Sequence, residues 1–290
     1  MNNMPSIVAA DGHVHFYPAY DTKAVFRHLI QNLDRLAGWP ANSAGPETTG
    51  NGVHKLAFLA ESREHDFFSR LQDRDKAIVG LGLAITSGPD PVCVTVSLSE
   101  VGRVCIVAGR QIVTRERLEI LGMAMRAKIP DGLPARDAIQ KVAEAGGIPV
   151  LAWAPGKWLF ARGRLVRELI AGDQDRVLRI GDTALRPALW PEPRPMRIAR
   201  ARGMTVIPGS DPLPFAGEER FAGTYGFIYQ GAFDAAHPAV SIARMLAGHP
   251  AAITPAGARG GARTVARRLT RLWVRRIENR KFHHAFPHCP

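Results

Sequence analysis

The stretch Ile7-Val8-Ala9-Ala10-Asp11-Gly12-His13-Val14-His15-Phe16 governs how the rest of the chain is read. Its apolar start has the character of a short buried strand, and the strand runs into His-Val-His. Side chains alternate across a strand, so His13 and His15 fall on one side. Two imidazoles on one side of a strand end can grip one divalent metal, zinc, iron or nickel among them. A pair of surface histidines in a turn would have the same spacing, so the pair needs partners from elsewhere in the chain.

Working outward, residues 21–38 carry Val25, Phe26, Leu29, Leu33 and Leu36 at helical spacing and stop at Gly38. The Pro-, Gly-, Asn- and Thr-rich stretch 39–52 reads as a loop over the mouth of a site. A second strand over 54–60 ends at Glu61, and a short helix through Phe67, Phe68 and Leu71 follows. Val- and Ile-rich runs over 77–86, 92–98 and 103–113 are separated by turn sequences and read as an antiparallel insert, residues 77–114. Beyond 115, strands over 118–122, 148–153, 177–180 and 204–207 alternate with helices over 133–145, 164–171 and 195–202. Alternation of this kind predicts a parallel sheet with helices outside.

The chain has 290 residues and a net charge of +12. The charge is concentrated at the end. Residues 251–290 hold Arg259, Arg263, Arg267, Arg268, Arg271, Arg275, Arg276, Arg280 and Lys281 against Glu278 alone. The high overall basicity is therefore weak grounds for a nucleic-acid-binding role of the whole chain. Within that segment Val265, Leu269, Leu272, Trp273 and Ile277 form an apolar stripe, which predicts a basic amphipathic helix near 262–281. Such a helix either caps the domain or makes weak contact with an anionic surface, as an attachment element apart from the chemistry. No apolar run is long enough to span a membrane, and no secretory leader is recognisable. Cys93, Cys105 and Cys289 lack metal-type spacing, and together these features predict a cytoplasmic protein.

Polar groups gather where the expected strands end: His13 and His15, Glu61, Lys157, Asp182 and Asp211, with Glu119 inside the strand over 118–122. In α/β barrels and open sheets the carboxyl ends of strands form the active-site face. On Asp11-Gly12-His13-Val14-His15 and Gly209-Ser210-Asp211, the chain resembles the PHP (polymerase and histidinol phosphatase) and amidohydrolase superfamilies of metal-dependent hydrolases. The resemblance implies a TIM-like, irregular (β/α) barrel over residues 1–250, followed by the basic tail 251–290. It implies His13, His15 and Asp211 as metal ligands, with Glu119 as a fourth, and Zn²⁺, Mn²⁺ or Fe²⁺ as cofactor. Two histidines of the PHP pattern are replaced here, by Trp153-Ala154-Pro155-Gly156-Lys157-Trp158 and by Asp211-Pro212-Leu213. Lys157 is the candidate for the carboxylated, metal-bridging lysine of many amidohydrolases.

The expected activity is hydrolysis of a small anionic substrate, a phosphate ester or an amide, by metal-activated water. Asp211 or Asp182 would accept a proton, and Lys157 would stabilise negative charge. Lys157, Arg162 and Arg186 would bind the substrate anion, with Arg110 as a further cation. Ordinary surface cations and turns account for the same residues about as well. The replaced histidines leave a rival open: a non-catalytic barrel that binds an anionic metabolite or a protein partner. The remaining histidines, His28, His54, His65, His237, His283, His284 and His288, are weaker candidates.

Overall fold

The computed structural model describes residues 6–38 and 53–285, with side chains through residue 275. The loop expected over 39–52, the side chains of Ile277, His283 and His284, and residues His288 and Cys289 lie outside that description. The first half of the chain forms β1 (Ser6–Val14), α1 (Thr22–Leu36), β2 (Val53–Leu59), α2 (Phe67–Gln72), α3 (Lys76–Val79), β3 (Leu83–Ser87), β4 (Cys93–Leu98), β5 (Gly102–Val107), β6 (Gly109–Val113) and β7 (Glu119–Met123). The second half forms α4 (Ala135–Glu144), β8 (Ile148–Ala152), α5 (Phe160–Gly172), β9 (Arg179–Thr183), α6 (Arg194–Ala201), β10 (Val206–Gly209), β11 (Tyr225–Gly231), α7 (Pro238–Ala247), β12 (Ile253–Gly257) and α8 (Ala262–Ala285).

The barrel expected from the sequence does not form. The strands make a seven-stranded sheet, β12-β11-β1-β2-β5-β4-β3, and a five-stranded sheet, β10-β9-β8-β7-β6. β8, β9 and β10 run parallel, but β7 runs antiparallel to both its neighbours. The β3–β5 meander is antiparallel as expected, yet it is no insert. β5 pairs with β2 in parallel and continues the sheet. One isolated bridge, Glu61 to Arg110, links the sheets on one side. On the other, β1 and β10 approach without a hydrogen-bonded ladder among the described residues.

The apolar pattern explains the layering. β1 lies between β11 and β2, so both its edges are paired, and α1 on one face and the smaller sheet on the other bury its central residues. Ala9 and Val14 face α1, whose Val25, Phe26, Leu29, Ile30 and Leu33 recur at helical spacing and are fully buried. Val8 and Ala10 belong instead to the core between the sheets, with Phe58, Leu121, Val150, Ile207 and Phe227. A third core lies under α4, α5 and α6 on the outer face of the smaller sheet. The molecule is thus two face-packed sheets with helices outside each. β12 pairs with β11, so the larger sheet extends past residue 250.

The two sheets meet most closely where β1 passes β10. A Cβ on Gly12 would stand 2.4 Å from Ile207 and 2.7 Å from the Pro208 carbonyl. One on Gly209 would stand 2.4 Å from both the backbone nitrogen and the Cβ of His13. The clash at Gly209 is with backbone, which has little room to relax. Gly209→Ala is therefore expected to destabilise the protein by about 2 kcal/mol or more, measured by urea unfolding. Unchanged stability would show that the two strands do not touch in solution.

Candidate metal centre

β1 delivers its two histidines through a local irregularity. Its pairing register with β2 shifts between Asp11 and Val14, as at a β-bulge, a device that re-aims side chains at strand ends. The two rings turn toward each other, with Nε2 atoms 3.0 Å apart. Asp211 Oδ1 lies 3.7 Å from His13 Nε2 and 3.5 Å from His15 Nε2. The three donors lie within 4.8 Å of one another and form the group that could hold a metal among the described residues. A tetrahedral ion with bonds of about 2.1 Å needs donors about 3.4 Å apart, so this spacing fits such an ion.

The protonation states also suit a ligand set. Burial pushes the His15 imidazole below its usual pKa, toward the neutral form that binds metal. Burial alone would raise the Asp211 carboxyl. The charge of His13 and a hydrogen bond with His15 outweigh it and hold the group well below the usual carboxylate range. Asp211 also has φ of 48°, in the left-handed region, and its N–H donates to the His13 carbonyl at 2.9 Å. The same residue therefore meets His13 through both main chain and side chain.

Asp11 carries a role that no sequence pattern assigned to it. It is fully buried and accepts from His13 N at 3.0 Å, Ser210 N at 2.9 Å, Ser210 Oγ at 2.5 Å and Gly223 N at 2.8 Å. Burial raises its pKa to about 6, against those hydrogen bonds, which favour the charged form. Asp11 thus binds the end of β1 to both ends of the segment between β10 and β11. The sequence signal was a lone acid inside an otherwise apolar strand.

The other expected site residues divide into pairs. Glu119 lies outside the three-donor group. It bonds to Lys157 Nζ, and its charge reaches His15. Asp182 is held by Arg186, at 2.8 Å to Nε and 2.5 Å to Nη2, and accepts from Tyr225 OH at 2.8 Å. Both partners are buried, so Asp182 and Arg186 satisfy each other rather than facing His13. Arg162 donates to the Gly156 carbonyl at 2.9 Å. Arg110 is buried and donates to the His65 carbonyl at 2.7 Å. His237 pairs with Asp234, and His54 packs on Phe233.

The basic helix comes close to the candidate metal centre. Val265 is buried, and Leu269 and Leu272 pack on Leu185, Leu213 and Phe215, while Trp273 is 64 % exposed. Arg268 is only 5 % exposed, is clamped by Glu218, and stands close enough to Asp211 for its charge to favour the carboxylate. The arginine-to-leucine spacing announced an amphipathic helix, but nothing in it marked which arginine turns inward.

No family model matches the chain, and no curated protein matches it. Among solved structures, PsfC from Pseudomonas syringae is similar in fold, with a TM-score of 0.53 at 12 % identity over 95 % of this chain and 99 % of that one. Two looser likenesses follow. The lesion-specific endonuclease PfuEndoQ from Pyrococcus furiosus has a TM-score of 0.45 at 13 % identity, over 83 % of this chain and 56 % of that one. A two-domain protein from Bacteroides vulgatus, described as containing a predicted PHP-like metal-dependent phosphoesterase, has a TM-score of 0.37 at 11 % identity, over 71 % of this chain and 52 % of that one. The chain therefore spans only about half the length of these last two.

Glu61, just past the end of β2, is another buried carboxylate. It accepts from Phe67 N and, at 3.1 Å, from Phe68 N, and burial raises its pKa to about 7. An unfolded glutamate ionises near 4.5. Between those values the native state keeps a proton that the unfolded chain has lost, so stability falls as pH rises. The contribution is of order 3 kcal/mol. Chemical unfolding from pH 4.5 to 7.5 is expected to show a shallower decline in Glu61→Gln than in wild type. Parallel curves would show that Glu61 ionises normally in the folded protein.

Proposed function

We propose that the protein is a metal-dependent hydrolase of small anionic substrates, with a phosphate ester favoured over an amide. The observation that carries this reading is the convergence of His13, His15 and Asp211. Three protein donors of this chemistry leave coordination positions for water and substrate, as catalytic sites require. Had these side chains not converged, the rival reading, a non-catalytic binding protein, would have been favoured. The resemblance to PHP and amidohydrolase sequences at Asp11–His15 and Gly209–Asp211 supports the same choice.

His13, His15 and Asp211 would hold Zn²⁺, Mn²⁺ or Fe²⁺. When bound, such an ion supplies Lewis acidity and makes water acidic enough to react near neutral pH. The chain's own groups do the rest. Asp11 fixes the main chain of His13 and the start of the Asp211 loop. Glu119 and Lys157 form a charge pair beside His15. In this reading Lys157 orients the substrate anion, and Asp211 or Glu119 accepts the proton. Asp182, engaged by Arg186 and Tyr225, stabilises the loop after β9 instead. The charge of Arg268, which reaches Asp211, favours an anionic substrate such as a phosphate ester. Two unbridged thiols, Cys93 and Cys105, agree with a cytoplasmic setting. Among the described residues no helix is long and apolar enough to cross a membrane.

Metal analysis of the purified protein against a His13→Ala, His15→Ala double variant tests the proposal. Stoichiometric divalent metal and phosphomonoesterase activity are expected in wild type, with both lost in the variant. Equal, near-zero metal in both proteins after incubation with Zn²⁺, Mn²⁺ or Fe²⁺ would overturn it. Asp11→Asn touches no metal donor, yet it is expected to weaken metal binding about 10- to 100-fold by loosening the backbone that carries His13. Titration with a competing chelator measures this.

A further inference from the structure

The face of α8 that meets the segment after Asp211 encloses a cavity of about 440 Å³ lined by Arg220, Arg267, Arg268 and Arg271, with Phe215 and Glu218. Glu218 is the acid among these lining residues, and its carboxylate is spent. It takes Nε and Nη2 of Arg268 at 2.9 and 2.6 Å and accepts from Leu213 N at 3.1 Å. Arg220, Arg267 and Arg271 are exposed, and no salt bridge pairs them with an acid among the described residues. Three positive charges therefore share one concave surface.

The arginines are also held in place. The Arg271 guanidinium lies 4.3 Å from the Phe215 ring centre, and those of Arg268 and Arg220 lie 4.1 and 4.9 Å from the Phe221 ring. Cation–π stacking uses the flat face of a guanidinium. Its N–H donors lie in the plane, so stacking restricts the side chain without consuming its hydrogen bonds. Like charges gathered without a counter-charge repel one another, and an anion that enters relieves that repulsion while gaining charge-assisted hydrogen bonds. The planar fork of arginine matches the paired oxygens of phosphate and of carboxylate, and the higher charge of phosphate suits three cations better.

We propose that this cavity is a phosphate site, formed jointly by α8 and the segment between β10 and β11, that receives a phosphate group of a small-molecule ligand. It contains neither His13 nor His15 and needs no metal. If the hydrolase reading above holds, the group bound here is a second phosphate of the substrate, because Asp211 opens the segment that carries Phe215, Glu218 and Arg220. A free phosphate ion is the other source of the same chemistry.

Inorganic phosphate titrated calorimetrically into EDTA-treated protein tests the site itself. An Arg267→Ala, Arg271→Ala variant, both changes at exposed positions, is expected to bind at least tenfold more weakly than wild type while melting at a similar temperature. Arg220→Ala, on the opposite wall, is expected to weaken binding too. The His13→Ala, His15→Ala variant is expected to bind phosphate as wild type does, even if the hydrolase proposal fails. Phosphate binding lost in the histidine variant but kept in both arginine variants would overturn the proposal. So would an arginine-dependent affinity for single-stranded oligonucleotide with no measurable affinity for phosphate. With metal restored, an alkyl bisphosphate hydrolysed in preference to the monophosphate by wild type, and not by the arginine variant, identifies the substrate as the source. Equal rates for the two substrates, with phosphate binding intact, identify free phosphate.

Discussion

Everything near the candidate metal centre hangs on one buried carboxylate. Asp11 is fully removed from water, which would be costly for a charged group left alone. Four hydrogen bonds offset that cost, and they come from three places in the chain: the end of β1, the residue after β10, and the turn before β11. The result is an anchor between β1 and β10, which share no ladder among the described residues. Close contact at Gly12 and Gly209 brings the two main chains together, and Asp11 holds them at that distance. His13 and Asp211 are both placed by this junction, since Asp11 binds the main chain of His13 and that of Ser210, the neighbour of Asp211.

How much of this could be read beforehand follows the range of the forces involved. His13 and His15 were legible as a pair from strand alternation, and Asp211 from the resemblance at Gly209–Asp211. That the three meet depends on β1 passing β10, which no local pattern announces. Most helices and strands were legible, because alternation and strand ends are local facts that survive any arrangement of sheets. The architecture was not. Periodicity marks a strand but not its partner, so β7 looked like one more parallel strand although it runs against β8. β11 and β12 were missed, although Tyr225, Phe227 and Tyr229 alternate along β11. Asp182 and Arg186 were read as separate tools for catalysis and binding. Their spacing of four residues already offered a simpler account, that they pair with each other.

The basic helix shows the limit from the other side. Counting charge placed the positive excess correctly, but an amphipathic pattern describes a face, not what lies opposite. Leu269 and Leu272 do cover apolar surface, as the stripe required. Trp273, part of the same stripe, is mostly exposed, while Arg268 is buried. Glu218 reverses the order: a carboxylate in the right place makes an arginine the better residue to bury there. That carboxylate lies fifty positions away, beyond the reach of any local pattern.

The segment from Ser210 to Gly223 is pinned by Asp11 at both ends. A chain whose ends are already joined loses little more entropy when its middle grows, because closure depends only weakly on length. Insertions at Ala216 and Gly217, between the buried Phe215 and Glu218, would therefore leave Asp211 where it is. The division separates two kinds of change: the fixed ends hold the candidate metal centre, while the less buried positions between them can vary. A lineage carrying this fold could diversify what it recognises by editing one short stretch of sequence, without rebuilding the centre it opens from.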